Sequence, residues 1–312
     1  MSTTSTSRTP LAVWHRIPLG LRYMAGSAFF FSLMALFVKL AGQAGVPSMQ
    51  IVFARCAVML VLTYAMLWQA GVTSRGVDRR NLFLRGFTGF TALSIFYFAL
   101  TKIPLGDAAT IYNTAPIHTA LLAGLFLRER VRGVVVVAIV LSLVGVTLIA
   151  KPSFVFVNIT ASYPSWIVYA ALGGAFLSGA AYTFVRKLKD TDHALVVILW
   201  FSWVGALGAL PFAFVDALGF EGRGAFAPWV LPRGWAWLWL LMVGVMTHIA
   251  QVCLTRGLHL EPAGRASAVG YLQVVFAFLW GVLFFRTIPD SLTLLGAGIV
   301  VGGVLLVVRS RR

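Results

Sequence analysis

The sequence predicts an all-α integral membrane protein: ten transmembrane helices in a 5+5 inverted-topology repeat, with both termini cytoplasmic. Three observations predict it. The 312 residues are 60% hydrophobic and 11% charged, with a mean hydropathy of +0.90, whereas a soluble domain carries about 25% charged residues. The apolar residues fall in ten runs close to the roughly 20 residues that cross a bilayer. The 25 basic residues punctuate those runs instead of gathering on one face, which is how membrane topology is written.

The same numbers exclude other classes. Too few polar residues remain to cover a soluble surface, and disorder requires low hydrophobicity. Two cysteines give no disulfide framework, and no CxxC or His/Cys cluster suggests zinc. A net charge of +16 on a soluble chain would suggest nucleic acid; here it is topological, and no nucleic-acid partner is expected.

Residues 1–21 are Ser/Thr-rich with scattered Arg and read as a cytoplasmic tail. The spans follow at 22–42, 48–70, 81–101, 107–127 and 133–150, then 164–186, 194–216, 234–256, 264–286 and 291–308, leaving 309–312 as a second tail. The first run is too long for a signal-peptide core and has no small-residue cleavage site, so it is retained. Gly, Pro or charge marks the breaks: Gly45-Val46-Pro47, Arg75 to Arg80, Ile103-Pro104-Leu105-Gly106, Arg128-Glu129-Arg130, Lys151-Pro152 and Lys187 to Asp192. The longest linkers, 151–163 and 217–233, are too short for a domain, so function must reside within the membrane.

With the N-terminus inside, 18 basic residues fall on the cytoplasmic side, Arg85 and Arg265 among them. Five fall outside, and Lys39 and Arg55 lie within spans. The positive-inside rule places both termini in the cytoplasm. Arg outnumbers Lys 20 to 5, which fits a GC-rich bacterial genome and hence a bacterial inner membrane.

Residues 22–150 and 164–308 match in order. Phe37-Val38-Lys39-Leu40 faces Phe184-Val185-Arg186-Lys187-Leu188, and Leu100-Thr101-Lys102 faces Leu254-Thr255-Arg256. Gly124-Leu125-Phe126-Leu127 faces Gly281-Val282-Leu283-Phe284, and Gly145-Val146-Thr147-Leu148 faces Gly303-Val304-Leu305-Leu306. An odd number of spans per half inverts one half relative to the other, as in secondary transporters whose substrate site lies at the repeat interface.

Several stretches resemble the drug/metabolite transporter superfamily, specifically its EamA-type ten-span members: Ala99-Leu100-Thr101, Ala115-Pro116, Phe126-Leu127-Arg128-Glu129-Arg130, Gly145-Val146 and Arg55 in span 2. The resemblance runs from about residue 22 to 308. It departs from symmetry where Gln273 replaces Pro116 and Arg286 replaces Glu129. Among such proteins the chain is most similar to aromatic amino-acid exporters. The resemblance implies alternating-access export of amino acids and a site lined by spans 3, 4, 8 and 9.

Two polar stripes fit that site. Ser94, Tyr97 and Thr101 in span 3 and His248, Gln251 and Thr255 in span 8 share the spacing i, i+3, i+7, one helical face. A polar face in lipid is costly, so both stripes are expected to line a cavity or to serve as interhelical packing. Asn113 and His118 in span 4, and Tyr271 and Gln273 in span 9, complete the candidate substrate-binding set. Pro116 removes a backbone donor and reads as a gating break or a static kink. His118 reads as a proton relay or a bonded interior residue. Arg55, about 11 Å from the outer end of span 2 at 1.5 Å per residue, reads as a carboxylate ligand or a structural anchor, and Lys39 snorkels. Bulk at Ser94 is expected to block the path, and bulk at Val137 in span 5 to have no effect.

No acidic residue occupies a mid-span position, which disfavours a cation/proton drug antiporter. Organic anions or nucleotide sugars remain an alternative substrate class, though Arg55 alone is thin support. An intramembrane enzyme would need catalytic motifs such as HExxH or an embedded Asp pair, and none is present. The expectation is a non-enzymatic exporter of small amphipathic metabolites, amino acids including aromatic ones, without obligatory proton coupling. No cofactor or metal is expected. The partners are a small-molecule substrate and the lipid bilayer, and a single chain should suffice for transport.

Overall fold

Where prolines and short polar caps end the turns, long apolar helices begin. The computed structural model describes residues 17–102, 110–150, 152, 155, 164–214, 227–286 and 290–310. Its α-helices are α1 (Leu19–Gln43), α2 (Ser48–Gln69), α3 (Arg79–Lys102), α4 (Ala115–Phe126), α5 (Gly133–Ala150), α6 (Ser165–Lys187), α7 (Ala194–Ala209), α8 (Ala236–Leu260), α9 (Ala263–Val269), α10 (Leu272–Phe285) and α11 (Ser291–Arg309). Helices α1, α2, α6 and α9 each start directly after a proline, at Pro18, Pro47, Pro164 and Pro262. A proline there has no amide to satisfy and a φ suited to entering a helix. Asp78 and Asp290 cap α3 and α11 by accepting the amides of Asn81 and Thr293. The Asp78 carboxyl is held below the usual range by its hydrogen bonds from Asn81.

Nine segments among the described residues are long and apolar enough to cross a membrane. The predicted span 107–127 begins outside the described residues and contributes α4. Most of the linkers 151–163 and 217–233 likewise lies outside them.

Helices α1 and α8 form one broad interface, and α3 and α6 another. Helix α2 packs on α7 and α8, α3 also on α7, α4 on α6 and α9, and α1 also on α10. Small residues permit the close crossings. A Cβ on Gly145 would stand 2.6 Å from the Gly296 carbonyl, so α5 and α11 meet backbone to backbone. These two pair mainly with each other and lie at the periphery, with Val137 of α5 53% exposed.

Two expectations change. Pro116 does not kink a continuous helix. Residues 110–112 are helical, 113–114 form a turn, and α4 restarts at Ala115. Pro116 therefore stands in the first turn, where its missing amide costs nothing. Span 9 breaks in the same way: α9 ends, Gly270 and Tyr271 form a turn, and α10 restarts with Gln273 as its second residue. The second change concerns charge. Arg85 and Arg265, counted on the cytoplasmic side, are buried within the bundle, 2% and 6% exposed. Arg265 is held by Glu261 at 3.0 Å and by the carbonyls of Val307 and Ser310. Arg85 lies inside the bundle.

Candidate functional site

The interior polar cluster forms around Phe201 of α7. The Arg85 guanidinium of α3 lies over this ring, its carbon 4.1 Å from the centroid, and the Arg55 guanidinium of α2 lies 5.8 Å from it. Arg85 Nη2 donates to Gln251 Oε1 of α8 at 3.3 Å. Tyr112 and Tyr182 stand within electrostatic range of Arg85, and Tyr97 within range of Arg55. Tyr112 and Ser178 hydroxyls pair at 3.3 Å. Gly89, one turn after Arg85, leaves the space that the guanidinium fills: a Cβ there would sit 2.6 Å from Arg85 Nη1 and 3.1 Å from Phe201.

The electrostatics are one-sided. Arg55 is 5% exposed, and Arg55 Nε and Arg85 Nε are buried without a hydrogen-bond partner. No acidic side chain among the described residues pairs with either arginine. Cations embedded in a bundle are costly and are usually paired or functional. Among the described residues the ring face of Phe201, the Gln251 amide, and the weak sulfurs of Cys56 and of Met34, 4.0 Å from Arg55 Nη1, contribute stabilisation.

The expected site residues separate into three groups. Tyr97, Gln251 and Arg55 belong to the cluster. Asn113 and Tyr271 meet elsewhere, at the two helix breaks: the Tyr271 hydroxyl donates to the Asn113 carbonyl at 2.9 Å. Pro116 and Gln273 occupy matching positions just beyond those breaks. The third group lies off the cluster. Ser94 donates to the Phe90 carbonyl and shares a flank of α3, at helical spacing, with Phe83 and Phe87, each 50% exposed. His248 contacts Thr63 Oγ1 at 3.3 Å and Met66 Sδ at 3.1 Å, both on α2. His118 packs edge-on against Phe176, with Nδ1 unpartnered. Thr101 lies in the last turn of α3, and its side chain is outside the described residues.

Sequence reasoning missed Arg85, Gly89 and Phe201. Arg85 stands near the start of its span, where a basic residue ordinarily faces the interface. The available signal was helical spacing: Arg85, Gly89 and Phe96 share a face opposite the Phe83–Phe87 flank.

A second polar lattice ties helix ends together. Glu129 Oε1 pairs with Arg186 Nε at 2.6 Å, and Glu129 Oε2 accepts the Ala263 amide at 2.8 Å. Arg186 Nη1 donates to the carbonyls of Leu258 and His259 at 3.1 and 2.7 Å. The segment after α4 is thereby fastened to the ends of α6 and α8 and the start of α9. Among the described residues no group of three His, Cys, Asp or Glu is arranged to hold a metal ion.

Helices of membrane-crossing length around a charged, hydrogen-bonding interior define a polytopic membrane protein. The chain belongs to the EamA-like transporter family, whose model matches it at residues 18–151 and again at 165–309. It is 33% identical over 285 residues to the pseudopaline exporter CntI of Pseudomonas aeruginosa, covering 90% of this chain and 91% of that one. It is 32% identical over 302 residues to solute carrier family 35 member G1 of Mus musculus, covering 94% and 77%. A crystal structure at 19% identity superposes with a TM-score of 0.79 over 92% of this chain and 95% of the other, a likeness of fold. The protein is a membrane transporter and not an enzyme.

Proposed function

We propose that this protein exports small amphipathic metabolites, amino acids and their derivatives, across a bacterial inner membrane by alternating access, without obligatory proton coupling. The observation that carries the reading is the polar cluster of Arg55, Arg85, Tyr97 and Gln251 inside an otherwise apolar bundle. A purely structural bundle has no need of such a costly interior.

Two five-span halves, 22–150 and 164–308, would rock against each other. The pairing pattern supports this. Exchanging halves turns the α1–α8 interface into α6–α3, α2–α8 into α7–α3, and α4–α6 into the contact of α10 with α1, while α2–α7 and α5–α11 map onto themselves. The twofold match of the family model falls close to the same halves. An odd number of spans in each then inverts them. The basic residues outside the bundle still favour cytoplasmic termini after Arg85 and Arg265 are set aside. The named relatives include an exporter, which supports the direction. Proton coupling lacks an obvious carrier, since the described carboxylates all lie at helix ends or in loops.

The test is counterflow of a labelled metabolite panel in proteoliposomes, with an imposed pH gradient as one variable. Exchange of amino acids or their derivatives at equal pH on both sides is expected. No exchange of any such compound would overturn the reading. A second reading, transport of organic anions, is favoured by one observation, the addition of Arg85 to Arg55 at the same ring.

A further inference from the structure

We infer that the substrates are net-negative compounds bearing two acidic groups, held in a clamp formed by the Arg55 and Arg85 guanidiniums beside Phe201. This rests on the exporter reading and takes the second substrate class given above, organic anions, specifying its members.

Three independent features point to the clamp. The first is charge without counter-charge. Two guanidiniums, 5% and 2% exposed, converge on one ring. Every described carboxylate is placed elsewhere: Asp78 caps α3, Glu129 holds Arg186, Asp190 meets Lys189, Asp192 accepts the amides of Val77 and Asp78, Glu261 holds Arg265, and Asp290 caps α11. The second is unused donor capacity. Each guanidinium has five N–H donors in a planar fork. Arg85 spends one on Gln251, Arg55 reaches the weak sulfurs of Met34 and Cys56, and both Nε atoms are buried without a partner. Buried donors left unmade are expensive, and a carboxylate or phosphate accepting two bonds from a fork is their natural complement. The third is fit. The absence of a Cβ at Gly89 leaves room for the Arg85 fork against Phe201, since a Cβ there would stand 2.6 Å from Arg85 Nη1 and 3.1 Å from the ring.

The same features decide against the simpler substrate. A zwitterionic amino acid such as phenylalanine would satisfy one guanidinium with its carboxylate. Its ammonium would enter a neighbourhood holding two fixed cations and no described carboxylate. A compound with two acidic groups neutralises both arginines at once. The guanidiniums lie 5.8 and 4.1 Å from one centroid, so both stand beside the same ring. Tyr97, Tyr112 and Tyr182 add hydroxyl donors, which again suit an acceptor-rich ligand. Carboxylate and phosphate share this chemistry, and the two are separated by experiment.

The test uses purified full-length protein in proteoliposomes. Counterflow is measured for succinate, citrate, glucose 6-phosphate, phenylalanine and choline, alongside the thermal shift that each compound gives. Wild type should exchange succinate or citrate at least about tenfold faster than phenylalanine. Glucose 6-phosphate in their place would identify phosphate as the acidic group and still support the clamp. R55Q and R85Q should each lower anion exchange about tenfold or more, and R85K, which keeps the charge and loses the fork, should recover part of it. Phenylalanine or choline exchanging as fast as the anions would overturn the clamp while the exporter reading stands. So would anion exchange indifferent to both Gln variants. Anion-induced stabilisation lost in R85Q, with no flux of any compound, would support the clamp and overturn the exporter reading. Neither flux nor thermal shift with any anion on the wild-type protein would overturn the clamp without reference to any variant.

Discussion

The Tyr271 hydroxyl donates to the Asn113 carbonyl across 2.9 Å, so the broken points of two helical spans touch. Asn113 stands in the turn before α4 and Tyr271 in the turn before α10. Each break frees backbone carbonyls that a continuous helix would consume, and one of them is satisfied by the opposite break.

Tyr271→Phe should remove that bond while keeping the ring, which is 1% exposed. A net hydrogen bond is worth about 1 kcal/mol, more when a buried acceptor is left unpaired. The expected outcome is a small fall in unfolding temperature with an altered transport rate, read by a thermal melt and counterflow on one preparation. An unchanged rate would show that the two breaks need not be joined for the cycle.

These breaks also show how far the sequence could be read. The apolar runs and the bounds of most spans were legible because each is written in local composition and length. Pro116 was legible as an interruption, but its role was not. A proline inside an apolar run and one in the first turn of a new helix look alike until the turn before it is seen. The matching break at Gly270 and Tyr271 has no proline at all, since Gln273 stands in the equivalent position. Arg85 was misplaced for a different reason. Positive-inside reasoning assigns a basic residue near a span end to the interface, whereas its burial depends on which helix face the neighbours cover. Ser94 shows the converse: helical spacing set it with Tyr97, yet the packing of α3 against α6 and α7 leaves Ser94 on the Phe83–Phe87 flank.

Glu129→Gln should loosen the latch that joins the segment after α4 to α6, α8 and α9. The Glu129 and Arg186 side chains are 16% and 11% exposed, so the pair is well shielded, and removing one partner leaves a charge uncompensated. Thr255 of α8 is fully buried near the same end. In a background without Cys56 and Cys253, Thr255→Cys should react several-fold faster with an aqueous thiol reagent once Glu129→Gln is added. Equal labelling rates would mean that the Glu129–Arg186 pair holds no gate.

Gly89→Leu should lower transport at least about tenfold, since the added side chain takes the space of the Arg85 guanidinium. Ser94→Trp, on the flank carrying half-exposed Phe83 and Phe87, should leave most activity intact, as should Val137→Trp on the exposed face of α5. Counterflow normalised to the amount of inserted protein compares all three. Strong loss in Ser94→Trp with none in Gly89→Leu would reverse the assignment of the α3 faces.

The charge of the clamp bears on energetics as well as on selectivity. A carrier that moves a net-negative substrate outward, without a co-transported proton, moves charge down the electrical gradient of a cell that is negative inside. The membrane potential supplies about 2.3 kcal/mol per elementary charge per 100 mV, so a dianion gains roughly twice that per 100 mV. Among the described residues no carboxylate in the cluster is available to carry a proton against this flow. Efflux of loaded succinate or citrate from proteoliposomes should therefore accelerate when a potassium gradient with valinomycin makes the interior negative, and slow when it makes the interior positive. Changing external pH between 6 and 8 at constant potential should matter little by comparison, on the order of twofold or less. Efflux that ignores the potential and follows the pH gradient would mean that protons neutralise the substrate in transit, and His118 and His248, the two histidines of spans 4 and 8, would be the first to replace.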